Sequence, residues 1–152
     1  MTFFRYGYNN LMRKDFKRPF SPAEAIEMSK KYFNNAKDIL RNVRIEYDIY
    51  TDEKPVHEAC AMGYLSALLA IEAFALMKGC KESELPTSYD GYWEWLSKAP
   101  HDGKLKASFR VVYENLHVFG YYRGGVNVDM IKAGFRNAKR IIETCEKLIK
   151  RD

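Results

Sequence analysis

The chain has 152 residues, the length of one domain that can bury a hydrophobic core without disulfides or a metal ion. Hydrophobic residues make up 47% and charged residues 30%, with nine glycines and five prolines, a composition that excludes disordered and fibrous proteins. The cysteines, Cys60, Cys80 and Cys145, form no C-x-x-C pair, which argues against a disulfide framework and a structural zinc site and favours a reducing cytoplasm.

Residues 1–20 are predicted to be a basic, aromatic arm, followed by a single domain over residues 21–152. The arm has five basic residues against Asp15, a net charge of +4 out of +5 for the whole chain. It has no long apolar stretch or small-residue cleavage site, so no signal peptide is predicted. Such an arm can contact the phosphates and bases of a nucleic acid, or dock its aromatic rings on the domain.

The first helix is predicted to begin at Ser21, where the sequence Ser-Pro-Ala-Glu has the form of a capping box with proline at the first helical position. An apolar period of 3.6 residues then predicts helix to about Asp48. Residues 51–55 break the pattern and supply cap residues for the second helix, predicted over residues 56–78 and ended by Gly79.

The second helix is the most hydrophobic part of the chain and is long enough to cross a bilayer. Glu72 would then lie in hydrocarbon, and no positively charged flanks accompany it. We therefore predict the central helix of a soluble bundle, with no membrane partner, in which Gly63 allows close helix packing.

Residues 80–106 are predicted to be loops around a short helix at about residues 89–96. This segment is rich in aromatic side chains, which can either form a platform for base stacking or close one end of a bundle. Packing is the commoner role of such a cluster. Its members are Tyr89, Tyr92, Trp93 and Trp95.

The next helix is predicted from about residue 102 or 104 to residue 121 or 122, ended by Gly124 and Gly125. Asn127 is a plausible cap for a final helix over about residues 128–151, whose basic side chains include Lys132 and Arg136. The predicted fold class is all-α, an up-and-down bundle of four long helices plus one short helix.

The candidate site lies in residues 108–125, the sequence SFRVVYENLHVFGYYRGG. In an α-helix, Arg110 and His117 lie about 20° apart around the axis and roughly 10 Å apart along it. Glu114 lies between them and can pair with either, and Tyr121 extends the same predicted stripe, which runs beside the core-facing side.

Three interpretations of this stripe are open. A histidine and an arginine can cleave a phosphodiester, the first moving a proton and the second stabilising charge on phosphorus, with two copies in a homodimer dividing the acid and base roles. Glu114 and His117 also match the Glu-x-x-His of di-iron bundles, but the chain has no second such pair and no cofactor or metal is expected. Finally, Arg110 and Glu114 can be a surface ion pair and His117 a histidine at the edge of the core.

The spacing Arg110-x6-His117 in the penultimate long helix of a small all-α bundle resembles the signature of the HEPN superfamily. The sequence ENLHVFGYYRGG followed by a basic helix looks like small uncharacterised bacterial HEPN-like proteins. As architecture, the resemblance covers about residues 21–149, whereas the motif itself is short.

Many members of that superfamily are metal-independent ribonucleases that act as homodimers, and some are toxins with a neighbouring antitoxin protein. Others are inactive and bind nucleotides or proteins. The resemblance implies that His117 is the general acid or base and Arg110 the clamp, with Glu114 in the same candidate set. Arg123, Tyr121 and the last helix, at Lys132 and Arg136, would contact RNA. Active members commonly have a polar residue after the arginine, where this chain has Val111.

Overall fold

Helix α1 (Pro22–Arg41) begins as the sequence predicts, with Ser21 Oγ accepting a hydrogen bond from the backbone N–H of Glu24 at 3.1 Å. The computed structural model describes residues 21–99 and 103–151, so the predicted arm at residues 1–20 lies outside the described residues. Within these limits the fold is an all-α bundle of five helices with a two-stranded sheet, which confirms the predicted fold class.

Helix α1 ends at Arg41, so the predicted continuation to Asp48 is wrong. A hairpin follows instead, with strand β1 (Ile45–Glu46) antiparallel to β2 (Ile49–Tyr50). Its two-residue turn, Tyr47 and Asp48, has φ angles of 51° and 62°, as a hairpin turn with two left-handed residues requires.

The hairpin is held by the chain that precedes the last helix. The N–H of Tyr50 donates to the carbonyl of Val126 at 2.9 Å, and the N–H of Val128 donates to the carbonyl of Asp48 at the same distance. These contacts are distant in sequence, which explains why a local apolar period could not predict them.

Replacing Tyr47 with asparagine is expected to raise the free energy of unfolding by about 0.5 kcal/mol, because asparagine tolerates a positive φ better than an aromatic residue does. Tyr47 is 96% exposed, so little packing is lost. Urea denaturation of the two proteins measures the difference, and a clear loss of stability in the variant would contradict this turn geometry.

Helix α2 (Glu53–Met77) lies at the centre of the bundle and packs against helix α1, the last helix and the helical segment that carries the candidate site. By length and composition alone it could cross a membrane, but 67% of its most apolar 18-residue window is buried by its neighbours. Close packing at Gly63 is confirmed, since a Cβ there would lie 2.7 Å from Cε1 of Phe135.

Helix α3 (Tyr89–Lys98) corresponds to the predicted short helix, and its aromatic side chains pack into the bundle. Tyr92 is 1% exposed, and Trp95 meets Phe74 of α2 edge-on with ring centroids 5.2 Å apart. Tyr92 and Trp95 therefore have the packing role that is commoner for such a cluster, while Tyr89 and Trp93 are half-buried against the core.

Helix α4 (Gly103–Val112) continues without a break into a π-helical segment (Tyr113–Tyr122), and helix α5 (Val128–Arg151) completes the bundle. Gly124, at φ 71°, allows the turn between them, and Asn127 Oδ1 accepts the N–H of Met130 at 3.0 Å, as its predicted capping role requires.

Candidate functional site

His117 is buried within a column of aromatic rings. Its side chain is 5% exposed, and its ring stacks with those of Tyr113 and Tyr121 at centroid distances of 5.6 Å and 5.9 Å. Tyr64 of α2 covers it from the side at 4.5 Å. At the far end, Tyr89 of α3 stacks on Tyr113 at 3.8 Å. We call these five residues the His117 column.

The π-helical segment explains how the column forms. A π-helix closes i→i+5 hydrogen bonds, so it holds more residues per turn than an α-helix, and residues four apart lie more nearly above one another. Tyr113, His117 and Tyr121 have this spacing, and their planes differ by only 27° and 20°. π-Helical segments are rare in proteins, and those that occur are often found at functional sites.

Burial lowers the pKa of His117 from its ordinary value near 6.5 to about 4. Its Nε2 atom is buried and has no hydrogen-bond partner among residues 21–99 and 103–151. At neutral pH the imidazole is therefore uncharged. It lacks the second ring proton that a histidine donates when it acts as a general acid.

Arg110 and Glu114 form an exposed ion pair on the outer side of the same helix. Arg110 Nε donates to Glu114 Oε1 at 3.0 Å, and the two side chains are 65% and 55% exposed. The hydrogen bond and charge of Glu114 raise the pKa of Arg110. The guanidinium thus has a carboxylate partner in place of a phosphate.

The predicted stripe is not formed as one face, because the change to π-helix after Val112 alters the angular spacing of the residues. Arg110 and Glu114 lie outside, whereas His117 is covered by tyrosines. Tyr121, predicted as an RNA contact, is half-buried against His117, and Arg123 is exposed.

A group of cations between α1 and α5 was only partly identified from the sequence. Burial lowers the pKa of Lys37 on α1, and the positive charges near it lower the pKa further. Those neighbours are Arg41, Lys132 and Lys139. We call these four residues the basic seam. Lys132 belonged to the predicted RNA contacts; Arg136, also predicted, is exposed on α5 between Lys132 and Lys139.

The spacing of Lys37 and Arg41, four residues apart on α1, is a sequence signal for one half of the seam. Their proximity to the cations of α5 depends on how the two helices pack. Lys30 and Glu146 also pair across these two helices, which ties the helices together beside the seam.

No group of three histidine, cysteine or acidic side chains is placed to hold a metal ion in the part of the chain that the structure describes. Cys60 of α2 is buried, and desolvation raises the pKa of its thiol to about 12, so it is a packing residue rather than a nucleophile. Residue 101, the third histidine, lies outside the described ranges.

Comparisons with known proteins identify a family but no activity. The family model for a domain of unknown function (DUF5618) matches residues 24–147. A solved structure of a protein of unknown function from Dyadobacter fermentans is 33% identical, with 84% of this chain and 98% of that chain covered and a TM-score of 0.73. Comparison with curated proteins gave no match.

Proposed function

This chain belongs to the DUF5618 family, and we propose that it is an HEPN-like helical module that binds single-stranded RNA without cleaving it. The observation that carries the proposal is the contrast between two sites. Arg41, Lys132 and Lys139 of the basic seam are exposed, whereas the histidine that a nuclease would need is inside the protein.

The His117 column argues against catalysis. A general acid or base must reach the proton that it transfers, directly or through one water. His117 is 5% exposed, and Tyr64, Tyr113 and Tyr121 surround its ring. The imidazole therefore serves as a packed aromatic ring within the column.

The basic seam argues for an anionic partner. Within residues 21–99 and 103–151, no carboxylate forms an ion pair with Lys37, Lys132 or Lys139. Cations held together without counter-charges are favourable sites for phosphates, because binding relieves their mutual repulsion and releases counterions. Arg136 extends the same surface along α5. Among polyanions, the resemblance to HEPN proteins favours RNA as the partner.

Charge reversal on α5, at Lys139 of the seam and at the neighbouring Arg136, is the test of RNA binding. The double substitution Arg136→Glu and Lys139→Glu is expected to weaken binding of a labelled single-stranded RNA by about tenfold or more, and to reduce the dependence of affinity on salt. Fluorescence anisotropy at several salt concentrations measures both effects. The matched control is Lys81→Glu with Lys98→Glu, which makes the same change in net charge at two exposed lysines outside α1 and α5.

Equal losses in the two double variants would show that only net charge matters, and would overturn a site on the seam. The same RNA, recovered after incubation without divalent metal, is expected to be intact with wild type and with His117→Ala. Cleavage by wild type that His117→Ala abolishes would overturn the non-catalytic proposal in favour of the nuclease. The homodimer and the antitoxin-like partner stay predictions. Light scattering of the purified protein tests the homodimer.

A further inference from the structure

A cavity of about 360 Å³ lies under the hairpin, between α1 and α5. Its volume is in the range of sites for small molecules. Two kinds of side chain line it, cations of the basic seam and apolar residues of the core and hairpin. The cations are Lys37, Arg41 and Lys132.

The charged side of the cavity is not balanced within the described chain. None of its described lining residues is acidic. Arg41 pairs with Asp38 beside the cavity, while Lys37 and Lys132 have no ion-pair partner within residues 21–99 and 103–151. An anion would therefore be attracted here by the charges of Lys37 and Lys132, with which no carboxylate of the described residues pairs.

The apolar side of the cavity is part of the core surface. Tyr50 and Phe135 are 4% and 1% exposed, and Val43 lies beside them. Ile45 of β1, 46% exposed, extends the apolar wall towards solvent. Lys37 Nζ lies 5.8 Å from the centroid of the Phe135 ring, so charged and apolar groups meet within the one cavity.

We propose that this cavity is a binding site for a small organic anion, a phosphate or carboxylate joined to an apolar group. Lys37 and Lys132 hold the charged end, and Val43, Ile45 and Tyr50 contact the apolar end. The site goes beyond the binding of RNA along the seam, because it needs the apolar wall and takes a ligand of one or two charges.

The test is a titration of the full-length protein with phenyl phosphate, observed through the methyl NMR signals of Val43 and Ile45. Millimolar phenyl phosphate is expected to shift both signals. Lys132→Gln is expected to weaken binding about tenfold, since a charge-assisted contact is lost. Ile45→Gln, at an exposed strand position, is expected to weaken it about fivefold through lost apolar contact. Arg140→Gln, at an exposed position of the same helix outside the cavity lining, is the matched control and is expected to leave binding unchanged.

Phenylacetate and inorganic phosphate separate the contributions of the two ends. If phenyl phosphate binds more tightly than phenylacetate, the ligand is a phosphate; if phenylacetate binds more tightly, the ligand is a carboxylate. Either result supports the site. Inorganic phosphate binding as tightly as phenyl phosphate would overturn the apolar half of the proposal. Unchanged Val43 and Ile45 signals with both aromatic anions would overturn the whole site, even if RNA still binds. A protein that binds phenyl phosphate but no RNA would keep this site and lose the proposed function.

Discussion

Replacing Gly120 with alanine is expected to lower the free energy of unfolding by about 2 kcal/mol, although alanine is the better helix former. A Cβ at this position would lie 2.4 Å from Sγ and 2.9 Å from Cβ of Cys60 on α2. Cys60 is fully buried and its side chain is short, so it has little freedom to move away. The π-helical segment and α2 would have to separate, and the His117 column would be disturbed with them.

The matched control is Gly103→Ala in the first turn of α4, where a Cβ would meet no atom of residues 21–99 or 103–151 within 4 Å. This variant is expected to be at least as stable as wild type, by up to about 1 kcal/mol. Urea denaturation followed by circular dichroism measures both. Adding Cys60→Ala to Gly120→Ala removes the sulfur and is expected to recover part of the loss. If Gly120→Ala were as stable as Gly103→Ala, the close approach of the segment to α2 would be wrong.

Local signals predicted the ends of the elements where the chain itself supplies the partners. Ser21 and Asn127 accept hydrogen bonds from N–H groups three residues ahead, so their capping role is readable from the sequence. The left-handed turn at Tyr47 and Asp48 was missed, because it has neither glycine nor asparagine and its flanking isoleucines fit a helical period. Contacts with residues 126–128 stabilise this hairpin.

The candidate site shows a second limit of periodicity. The spacing of Arg110 and His117 predicts one face only if every residue between them is α-helical. The change to π-helix after Val112 separates them, and no 3.6-residue period signals that change. The basic seam had a partial signal in Lys132 and Arg136, but Lys37 joins it only through the packing of α1 on α5. Which helices pack against each other cannot be read from the local periodicity of a single sequence.

Lowering the pH from 7 to 4.5 is expected to cost the wild-type protein about 2 kcal/mol of stability through His117 alone. In the unfolded chain this histidine binds its proton near pH 6.5, whereas burial lowers the pKa in the folded protein to about 4. Between these values the unfolded state binds more protons than the folded state does. The stabilisation from His117 is therefore complete above about pH 6.5 and is lost as the pH falls towards 4.

The measurement compares wild type with His117→Gln, which has no titrating group at this position. The variant is expected to be less stable at pH 7, because the ring of His117 is lost from between Tyr113 and Tyr121. Its disadvantage should shrink by about 2 kcal/mol on going to pH 4.5, since only wild type loses stability through this group. Glu146, whose pKa is held low by Lys30, loses its contribution below this window and acts alike in both proteins.

A direct NMR titration of the His117 ring protons gives the pKa independently, and it is expected near 4. A constant stability difference between the two proteins, together with a titration near 6.5, would mean that the imidazole is open to water. That result would also restore His117 as a candidate general acid or base. The same titration therefore decides between the packed histidine and the nuclease interpretation.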